Sequence, residues 1–318
     1  MEGGISGRHR GRRIGVLRGG LSSEREISLR SARAVETVLR ERGYDVVAID
    51  VARDLAHDLR AARVEVAFNA LHGRYGEDGC VQGLLETMAI PYTGAGVMGS
   101  AVAMDKWTSK QMLRSSGVPT APAALLRRDE DPDVRPAPYP LVFKPRGEGS
   151  SNGVSIAHDA SEAPGAAAEA RRFDDDVVVE AYVPGREVTV AILDDRALAA
   201  MEVVPLGDEM HSYEVKYTPG REEFLLPAPL GERYEATLDV ALAAHRALSA
   251  GPYGRVDLRV RDDGEPFVLE CNTLPGLHEL GWFPAMAKHV GIAFPDLIET
   301  ILDRATLHVR ETSRGGAR

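Results

Sequence analysis

The chain has few cysteines and no long apolar run, and it carries no excess of positive charge. Its two cysteines, Cys80 and Cys271, are too few and too far apart for a disulfide framework or a zinc pattern. No apolar run approaches the roughly 20 residues that a membrane span needs. The basic start, MEGGISGRHRGRR, lacks the apolar segment of a signal peptide. These absences predict a cytoplasmic protein in a reducing compartment, without a membrane partner.

The charge balance also limits the class of ligand. The formal net charge is -10, which disfavours nucleic acid as a partner. Any binding of anionic phosphate must therefore come from local lysines, backbone amides or metal ions. With 318 residues, 44% of them hydrophobic, the chain can bury a sizeable core in two or three domains.

The first third alternates strand and helix patterns. RRIGVLRGG predicts a strand, and the helix after it has Ser22 and Ser23 at positions suited to capping, with Glu26 three residues after Ser23. VEVAFNALHG predicts another strand, and GCVQGLLETMAIPYTG a helix that Ile-Pro ends. This alternation predicts a parallel sheet with crossover helices. Because ligands gather at the carboxyl ends of such strands, the loops GGLSSERE and NALHGRYGEDG are site candidates.

The remaining segments mix strands and helices. Residues 99–117 predict one helix, and residues 118–140 a proline-rich connector with a solvated acidic run. PLVFKPRGEGSSNGVSIA predicts a strand, a glycine-rich turn and a strand, and DDDVVVEAYVPGREVTVAILDD predicts two strands around Pro-Gly. Further helices are expected near GERYEATLDVALAAHRAL and in FPDLIETILDRA.

The segment GRVDLRVRDDGEPFVLECNTLPG, residues 254–276, predicts a metal site on a hairpin. Asp-Gly within RDDGEP is a strong hairpin signal. Side chains alternate faces along a strand, so Glu270 and Asn272 point the same way and the hairpin brings Asp257 beside them. Two carboxylates and an amide oxygen suit Mg²⁺ held jointly with substrate phosphates. The alternative is a solvated strand face, which the apolar neighbours of Glu270 disfavour.

A second segment, FKPRGEGSSNG, has the composition of an anion site. Lys144 ends a strand before a loop with three glycines and two serines, whose amides can approach a phosphate closely. The Walker pattern is absent there, and an ordinary turn is the alternative. Lys106, in AMDKWTSK, adds a second cation. Glu180 and Glu187 flank the Pro-Gly turn, where they could meet an adenine amine and a ribose hydroxyl, although a lone glutamate at a strand end usually faces solvent.

The order of four segments resembles the ATP-grasp superfamily and, within it, the D-alanine–D-alanine ligase family. They are GGLSSEREISLRSA, LHGRYGEDGCVQGLLETMAIPYTGAGVMGSAVAMDK, VFKPRGEGSSNGVS and the hairpin segment. The resemblance implies a mixed α/β ATP-grasp fold with an N-terminal parallel-sheet domain, divided at residues 1–99, 100–183 and 184–318. It also implies that ATP binds between the second and third domains. The implied reaction joins two D-alanines through an acyl phosphate to make D-alanyl-D-alanine for peptidoglycan synthesis, and a homodimer is expected.

The resemblance also implies a role for each site residue. The residues implied to bind the nucleotide are Lys106, Lys144, Ser151, Glu180, Ala181, Val183, Glu187 and Lys216. Two Mg²⁺ or Mn²⁺ ions are implied at Asp257, Glu270 and Asn272. The implied catalytic residues are Glu24, Ser150, Tyr217, Arg255 and Gly276. The residues implied to bind the amino acids are Glu24, His72, Arg255, Gly276, Gly281 and Trp282.

The family pattern breaks where the second amino acid is expected. Gly281 and Trp282 stand where the family has a Ser-Leu pair whose hydroxyl helps to bind a carboxylate. A glycine could still offer its backbone N–H, but losing a polar partner costs on the order of 2 kcal/mol, enough to alter acceptor choice. Tyr217 favours an amine acceptor. The sequence leaves open a D-alanine acceptor, a different D-amino acid or analogue, and a nucleotide-binding module without catalysis.

Overall fold

Short β-branched runs form the first sheet, and amphipathic helices cover both of its faces. The computed structural model describes residues 7–206 and 220–309. The elements of its first part are β1 (Arg13–Gly19), α1 (Arg25–Glu41), β2 (Asp45–Val51), α2 (Leu55–Ala61), β3 (Val66–Asn69) and α3 (Cys80–Thr87). The strands pair in parallel in the order β2-β1-β3. The predicted parallel sheet with crossover helices is confirmed.

The second sheet is antiparallel, in the order β4-β7-β5-β6. Its region contains α4 (Val97–Met104), α5 (Lys106–Ser115), β4 (Ala123–Leu126), β5 (Leu141–Pro145), β6 (Ser155–Ala157), α6 (Ala163–Arg171) and β7 (Val177–Ala181). The small apolar face of α6, including Ala167 and Ala170, packs against Phe143 and Val179. The predicted strand, glycine-rich turn and strand are confirmed as β5, the loop and β6.

The third sheet is also antiparallel, in the order β10-β9-β8-β11-β12. The elements here are β8 (Arg186–Leu193), β9 (Arg196–Pro205), β10 (Glu222–Leu225), a 3-10 helix (Gly231–Arg233), α7 (Tyr234–Ala247), β11 (Tyr253–Val260), β12 (Pro266–Asn272), α8 (Trp282–His289) and α9 (Phe294–Asp303). A mixed α/β fold with one parallel and two antiparallel sheets is thus confirmed. The domain limits remain a prediction; the limit between residues 99 and 100 lies within α4.

The C-terminal helix packs back on the first sheet. Glu299 of α9 is buried and accepts hydrogen bonds from Arg42 (2.8 Å) and Tyr44 (2.9 Å). These two side chains take the place of water around the Glu299 carboxylate. Leu277 donates its backbone N–H to the Ser31 hydroxyl at 3.2 Å. The Glu299 contacts lie at the amino end of β2, and the Leu277 contact joins α1 to the segment that follows β12. Within residues 7–206 and 220–309, no helix is long and apolar enough to cross a membrane.

Local predictions fail where a tertiary contact decides the element. Residues 99–117 form two helices instead of one, because Asp105 is extended and its carboxylate accepts the Thr108 N–H at 2.8 Å as the N-cap of α5. The predicted capping by Ser22 and Ser23 is also wrong. Helix α1 begins at Arg25, and the Ser22 hydroxyl instead donates to the carbonyl oxygen of His72 at 2.6 Å.

Three other regions hold regular structure that the patterns did not indicate. The proline-rich connector contains β4. This strand pairs with β7, and Ala123 lies opposite Glu180 in the pair. Strand β9 follows β8 after a tight turn in which Asp194 and Asp195 both have positive φ. The segment after Pro275 and Gly276 contains α8. Strand β4, at the edge of the second sheet, and helix α8 both depend on contacts with distant chain segments.

Candidate active site

The hairpin of β11 and β12 brings the predicted metal ligands together. Asp257 lies directly opposite Glu270, and Arg255 lies opposite Asn272, so these side chains share one face of the sheet. A register shift after Asp257 keeps this pairing while Leu258 pairs with Val268. The turn is closed by the Gly264 N–H, which donates to the Arg261 carbonyl oxygen at 2.8 Å. The hairpin is therefore confirmed, and its role in metal binding stays a prediction.

The donor atoms of this face suit a hard cation. The Asp257 carboxylate accepts two hydrogen bonds from Arg255, at 2.8 and 2.9 Å, and one from Thr189 at 2.6 Å. Glu270 lies 3.6 Å from the ammonium group of Lys106. Along the described ranges, no group of three or more His, Cys, Asp or Glu residues could hold a metal ion. A metal here would use Asn272 and oxygens of a substrate in addition to the two carboxylates.

A cleft between the second and third sheets contains the predicted nucleotide residues. Its walls are apolar at Val142, Ile156 and Leu269, and charged groups stand at its ends. The predicted residues that line it are Lys106, Lys144, Ser151, Glu180, Ala181, Val183, Glu187, Asp257 and Glu270. Lys216, the remaining nucleotide residue, lies outside the described residues, as does Tyr217. An apolar slot with cations at one end can accept a flat base and a polyphosphate.

Glu180 is held between two lysines, of which the sequence analysis considered one. Its side chain is 1% exposed, and its Oε1 contacts the Lys144 ammonium while its Oε2 contacts that of Lys110. Burial raises the pKa of Glu180, but the two ammonium groups outweigh burial and lower that pKa to about 2. Lys110 follows Lys106 by four residues on α5, and this spacing, which places both on one helix face, is the signal that could have revealed it.

Arg259 stands at the other end of the cleft and was also missed. It donates to the Val183 carbonyl oxygen at 3.0 Å and lies 3.6 Å from the Glu187 carboxylate. Its guanidinium also sits over the Tyr182 ring, 5.5 Å from the centroid. The alternation of Arg255, Asp257 and Arg259 along β11 was the available signal. Arg259 thus holds the turn between β7 and β8, which contains Val183, and contacts Glu187 at the start of β8.

The glycine-rich loop connects this cleft to the N-terminal sheet. Ser150 and Ser151 adopt left-handed backbone conformations with φ of 50° and 56°. The Ser150 hydroxyl donates to a carboxylate oxygen of Glu24, and a Cβ at Gly149 would lie 2.9 Å from that carboxylate. The Lys106 ammonium donates to the carbonyl oxygen of Glu148. The loop thus places a predicted phosphate-binding lysine beside a predicted substrate-binding carboxylate.

A second cleft holds the residues predicted to bind the amino acids. The predicted residues that line it are Glu24, His72, Ser150, Arg255, Asn272, Gly276, Gly281 and Trp282. It shares Lys106, Glu148 and Glu270 with the first cleft, so the two are continuous. Trp282 lies 5.1 Å below the Arg255 guanidinium and meets the edge of Phe224 at 5.9 Å. The Gly281 N–H donates to the His278 carbonyl oxygen at 2.7 Å, so this N–H is already engaged, and the role of Gly281 in substrate binding stays a prediction.

Burial shifts the titratable groups of the second cleft. Burial, with the positive charge of Arg255, lowers the pKa of His72 to about 4, so its ring is neutral near pH 7 and contacts the Ser31 hydroxyl at 3.0 Å. Burial raises the pKa of Glu24, which the Ser150 hydrogen bond opposes. Burial and Glu24 raise the pKa of Glu77, which the sequence analysis missed although it lies in the GEDG turn. An ammonium group entering here would stabilise these carboxylates in their charged form.

Comparison with protein-family models gives two matches along the chain. Residues 53–95 match the model described as D-ala D-ala ligase N-terminus. Residues 112–303 match the model described as D-ala D-ala ligase C-terminus. Together they include the first sheet's last strand, both antiparallel sheets and most of the residues that line the two clefts, although Glu24 and Lys106 lie outside both ranges.

Individual relatives match over nearly the whole chain. The D-alanine–D-alanine ligase of Geobacter sulfurreducens is 49% identical over 307 residues, which cover 95% of this chain and 97% of that protein. The ligase of Pelobacter propionicus is 50% identical over 305 residues, covering 95% and 98%. The crystal structure of the Bacillus anthracis ligase complexed with ATP matches with a TM-score of 0.81 at 32% identity, covering 92% and 97%. The ATP-grasp fold is thereby confirmed, and the chain belongs to the D-alanine–D-alanine ligase family.

Proposed function

We propose that this protein is an ATP-dependent ligase that joins two D-alanines into D-alanyl-D-alanine for peptidoglycan synthesis. The observation that carries the proposal is the continuity of the two clefts at Lys106, Glu148 and Glu270. A phosphate group bound at that junction can be reached by a carboxylate bound in the second cleft. The names of the relatives support the same reaction. A homodimer and a cytoplasmic location are further parts of the proposal, taken from the family resemblance.

The first cleft would bind ATP. Ala181 and Val183 would line the adenine together with Glu180, and Glu187 would accept a hydrogen bond from ribose. Lys106, Lys144 and the amides of the glycine-rich loop would face the phosphates, with Ser151 in the loop and Lys216 from the segment outside the described residues. The ATP bound to the Bacillus anthracis relative supports this assignment. Two lysines and a row of amides offset part of the triphosphate charge in a chain that is acidic as a whole.

Asp257, Glu270 and Asn272 would hold two Mg²⁺ or Mn²⁺ ions beside the phosphates. Their shared strand face and their oxygen-only donors fit a hard dication. When bound, such ions neutralise charge on the transferring phosphoryl group. Arg255 pairs with Asp257 at 2.8 Å and Lys106 lies 3.6 Å from Glu270, so each of these carboxylates already has a cationic neighbour.

The second cleft would bind the first D-alanine. The ammonium group of this D-alanine would contact Glu24, and His72 would lie nearby. Its carboxylate oxygen would attack the γ-phosphorus of ATP as the bond to the β–γ bridging oxygen breaks. The products of this step are an acyl phosphate and ADP. The contact of Ser150 with Glu24 links substrate binding to the loop that covers the phosphates. Exclusion of water matters here because water would hydrolyse the acyl phosphate, and Tyr217 and Lys216 would serve that closure.

The amine of the second D-alanine would then attack the acyl carbon. The attack gives a tetrahedral oxyanion, which collapses as phosphate leaves and the nitrogen loses its proton. Arg255 would donate to the oxyanion, together with the Gly276 N–H. Arginine keeps its charge throughout, and here Asp257 fixes the orientation of its fork with two hydrogen bonds.

A different acceptor is the second candidate, and one observation favours it. The acceptor end of the second cleft is lined by Trp282 and Phe224, whose rings contact each other, and Gly281 supplies no hydroxyl. This end is more apolar than a site for a bare carboxylate requires. A D-amino acid with a larger side chain, or an analogue, would fit that chemistry.

The test incubates the protein with ATP, Mg²⁺ and D- and L-amino acids, singly and in pairs, while phosphate release and dipeptide are followed. Turnover with D-alanine alone is the expected result. Preference for another acceptor beside D-alanine would support the second candidate. Binding of ATP with no turnover for any pair would contradict both. Size-exclusion chromatography with light scattering tests the homodimer in the same preparation.

A further inference from the structure

Lys110 is a buried cation behind the nucleotide cleft that no step above uses. It lies one turn after Lys106 on α5, and its side chain is 2% exposed. Its ammonium contacts Glu180 and donates to the Thr120 hydroxyl at 3.0 Å. Thr120 donates in turn to the Val268 carbonyl oxygen at 2.8 Å in the third sheet. Among the described residues that line the two clefts, Lys110 is absent, so it would act on a nucleotide through its neighbours.

The three charged groups form a line that ends at the cleft. Lys110 contacts Glu180 Oε2 from behind, and Lys144 contacts Glu180 Oε1 on the side of the cleft. A pair of Glu180 and Lys144 alone would be neutral, and the carboxylate would keep one buried oxygen without an ionic partner. With Lys110 the group carries one net positive charge. Coulomb energy rises as the distance and the dielectric constant fall, so one additional positive charge in this buried group strongly increases its attraction for a nearby phosphate.

We propose that Lys110 is a positioning residue for the nucleotide: it neutralises Glu180 from behind and thereby leaves the charge of Lys144 available to the phosphates of ATP. The proposal rests on the proposed function only in taking ATP as the ligand of the first cleft. The link from Lys110 through Thr120 to Val268 also fixes this charge relative to both antiparallel sheets, which form the two walls of that cleft.

The test measures the affinity of Mg·ATP for folded variants by calorimetry in the absence of amino acids. Lys110→Gln removes the charge and keeps a hydrogen-bond donor, and we expect weaker binding by on the order of tenfold. The KM for ATP should rise by a similar factor, while the KM for D-alanine changes little. Lys288→Gln, at an exposed position on α8, is the matched control and should leave both unchanged. Unchanged ATP affinity in Lys110→Gln would overturn the proposal.

The same substitution in a Glu180→Gln background separates this role from a merely structural one. Without the carboxylate there is no charge for Lys110 to neutralise, and burial, which lowers the pKa of Lys110, then favours its neutral form. Lys110→Gln should therefore change ATP affinity by less than about twofold in that background. A tenfold loss there would overturn the proposal, even if the single variant fails to fold. Because binding is measured without amino acids, failure of the wild type to make dipeptide would bear only on the proposed function.

Discussion

Arg255 is the residue whose surroundings are most closely adapted to one task. Its guanidinium makes two hydrogen bonds to Asp257, and the Trp282 ring lies 5.1 Å away. These contacts fix the plane of the fork, so its donors would keep one direction if negative charge developed on a substrate, as the proposed reaction requires. Preorganised donors of this kind contribute most when they are needed in the transition state rather than in the ground state.

Arg255→Lys should therefore lower kcat more than it changes the KM for ATP. A lysine keeps the positive charge and loses the two-pronged pairing with Asp257. We expect kcat to fall by roughly 10²–10³, the usual effect of removing one oxyanion donor. Steady-state kinetics with D-alanine saturating would measure it. Arg261→Lys, in the exposed turn of the same hairpin, is the control, and a kcat for Arg255→Lys within threefold of that control would contradict the role.

Single residues could be predicted from sequence where the local period decides their direction. The two-residue period of strands sufficed to place Glu270 and Asn272 on one face, and the hairpin then brought Asp257 to them. Lys110 and Arg259 were missed because their partners, Glu180 and Glu187, are on other strands. Local spacing was a signal for both residues, but their importance depends on pairing with distant segments, which that spacing does not reveal.

Among the elements, the glycine-rich loop between β5 and β6 has the most specific geometry. Arg74, from the loop after β3, joins Glu148 and Asp174 at 3.1 and 2.9 Å, and the Gly147 N–H donates to Asp174 at 3.0 Å. The glycine-rich loop is thus attached to the N-terminal sheet through Arg74 and to the segment just before β7 through Asp174. Gly149 faces the Glu24 carboxylate so closely that a side chain would displace it.

Gly149→Ala should therefore weaken amino acid binding and leave the nucleotide site nearly unchanged. The new Cβ would lie 2.9 Å from a Glu24 oxygen. It would displace the Glu24 carboxylate and break the hydrogen bond between Glu24 and Ser150. Loss of a hydrogen bond to a charged group corresponds to an increase of about tenfold in the KM for D-alanine. Gly165→Ala on α6, where a Cβ meets nothing within 4 Å, is the control. An equal rise in the KM for ATP would contradict this assignment.

Elements were predictable where their own sequence decides them, and less so at their ends. The strands on both sides of the Pro-Gly turn and the helix α9 follow from local pattern alone. The break at Asp105 does not, because the apolar pattern of residues 99–117 continues through it. There Asp105 also pairs with Arg146 at 2.7 Å, so a contact from another sheet helps to fix the cap.

At the scale of the whole molecule, the site exists only where the three sheets meet. Glu24 and His72 come from the loops after strands of the first sheet, Lys144 comes from the second sheet, and the third contributes Arg255 and the face predicted to bind metal. The mixed fold and the order of its parts could be predicted from four motifs in sequence. The continuity of the two clefts could not, since it depends on Lys106, Glu148 and Glu270, which are far apart in sequence and meet only in the folded chain.

The proposed reaction requires that a D-alanine carboxylate in the second cleft receives a phosphoryl group from ATP in the first cleft. D-Alanine labelled with ¹⁸O in its carboxylate tests it directly. If an acyl phosphate forms, each dipeptide should be accompanied by a phosphate that carries one labelled oxygen, which mass spectrometry of the released phosphate will detect. Unlabelled phosphate, with the oxygen lost from the donor carboxylate recovered in AMP or in water, would contradict this reaction.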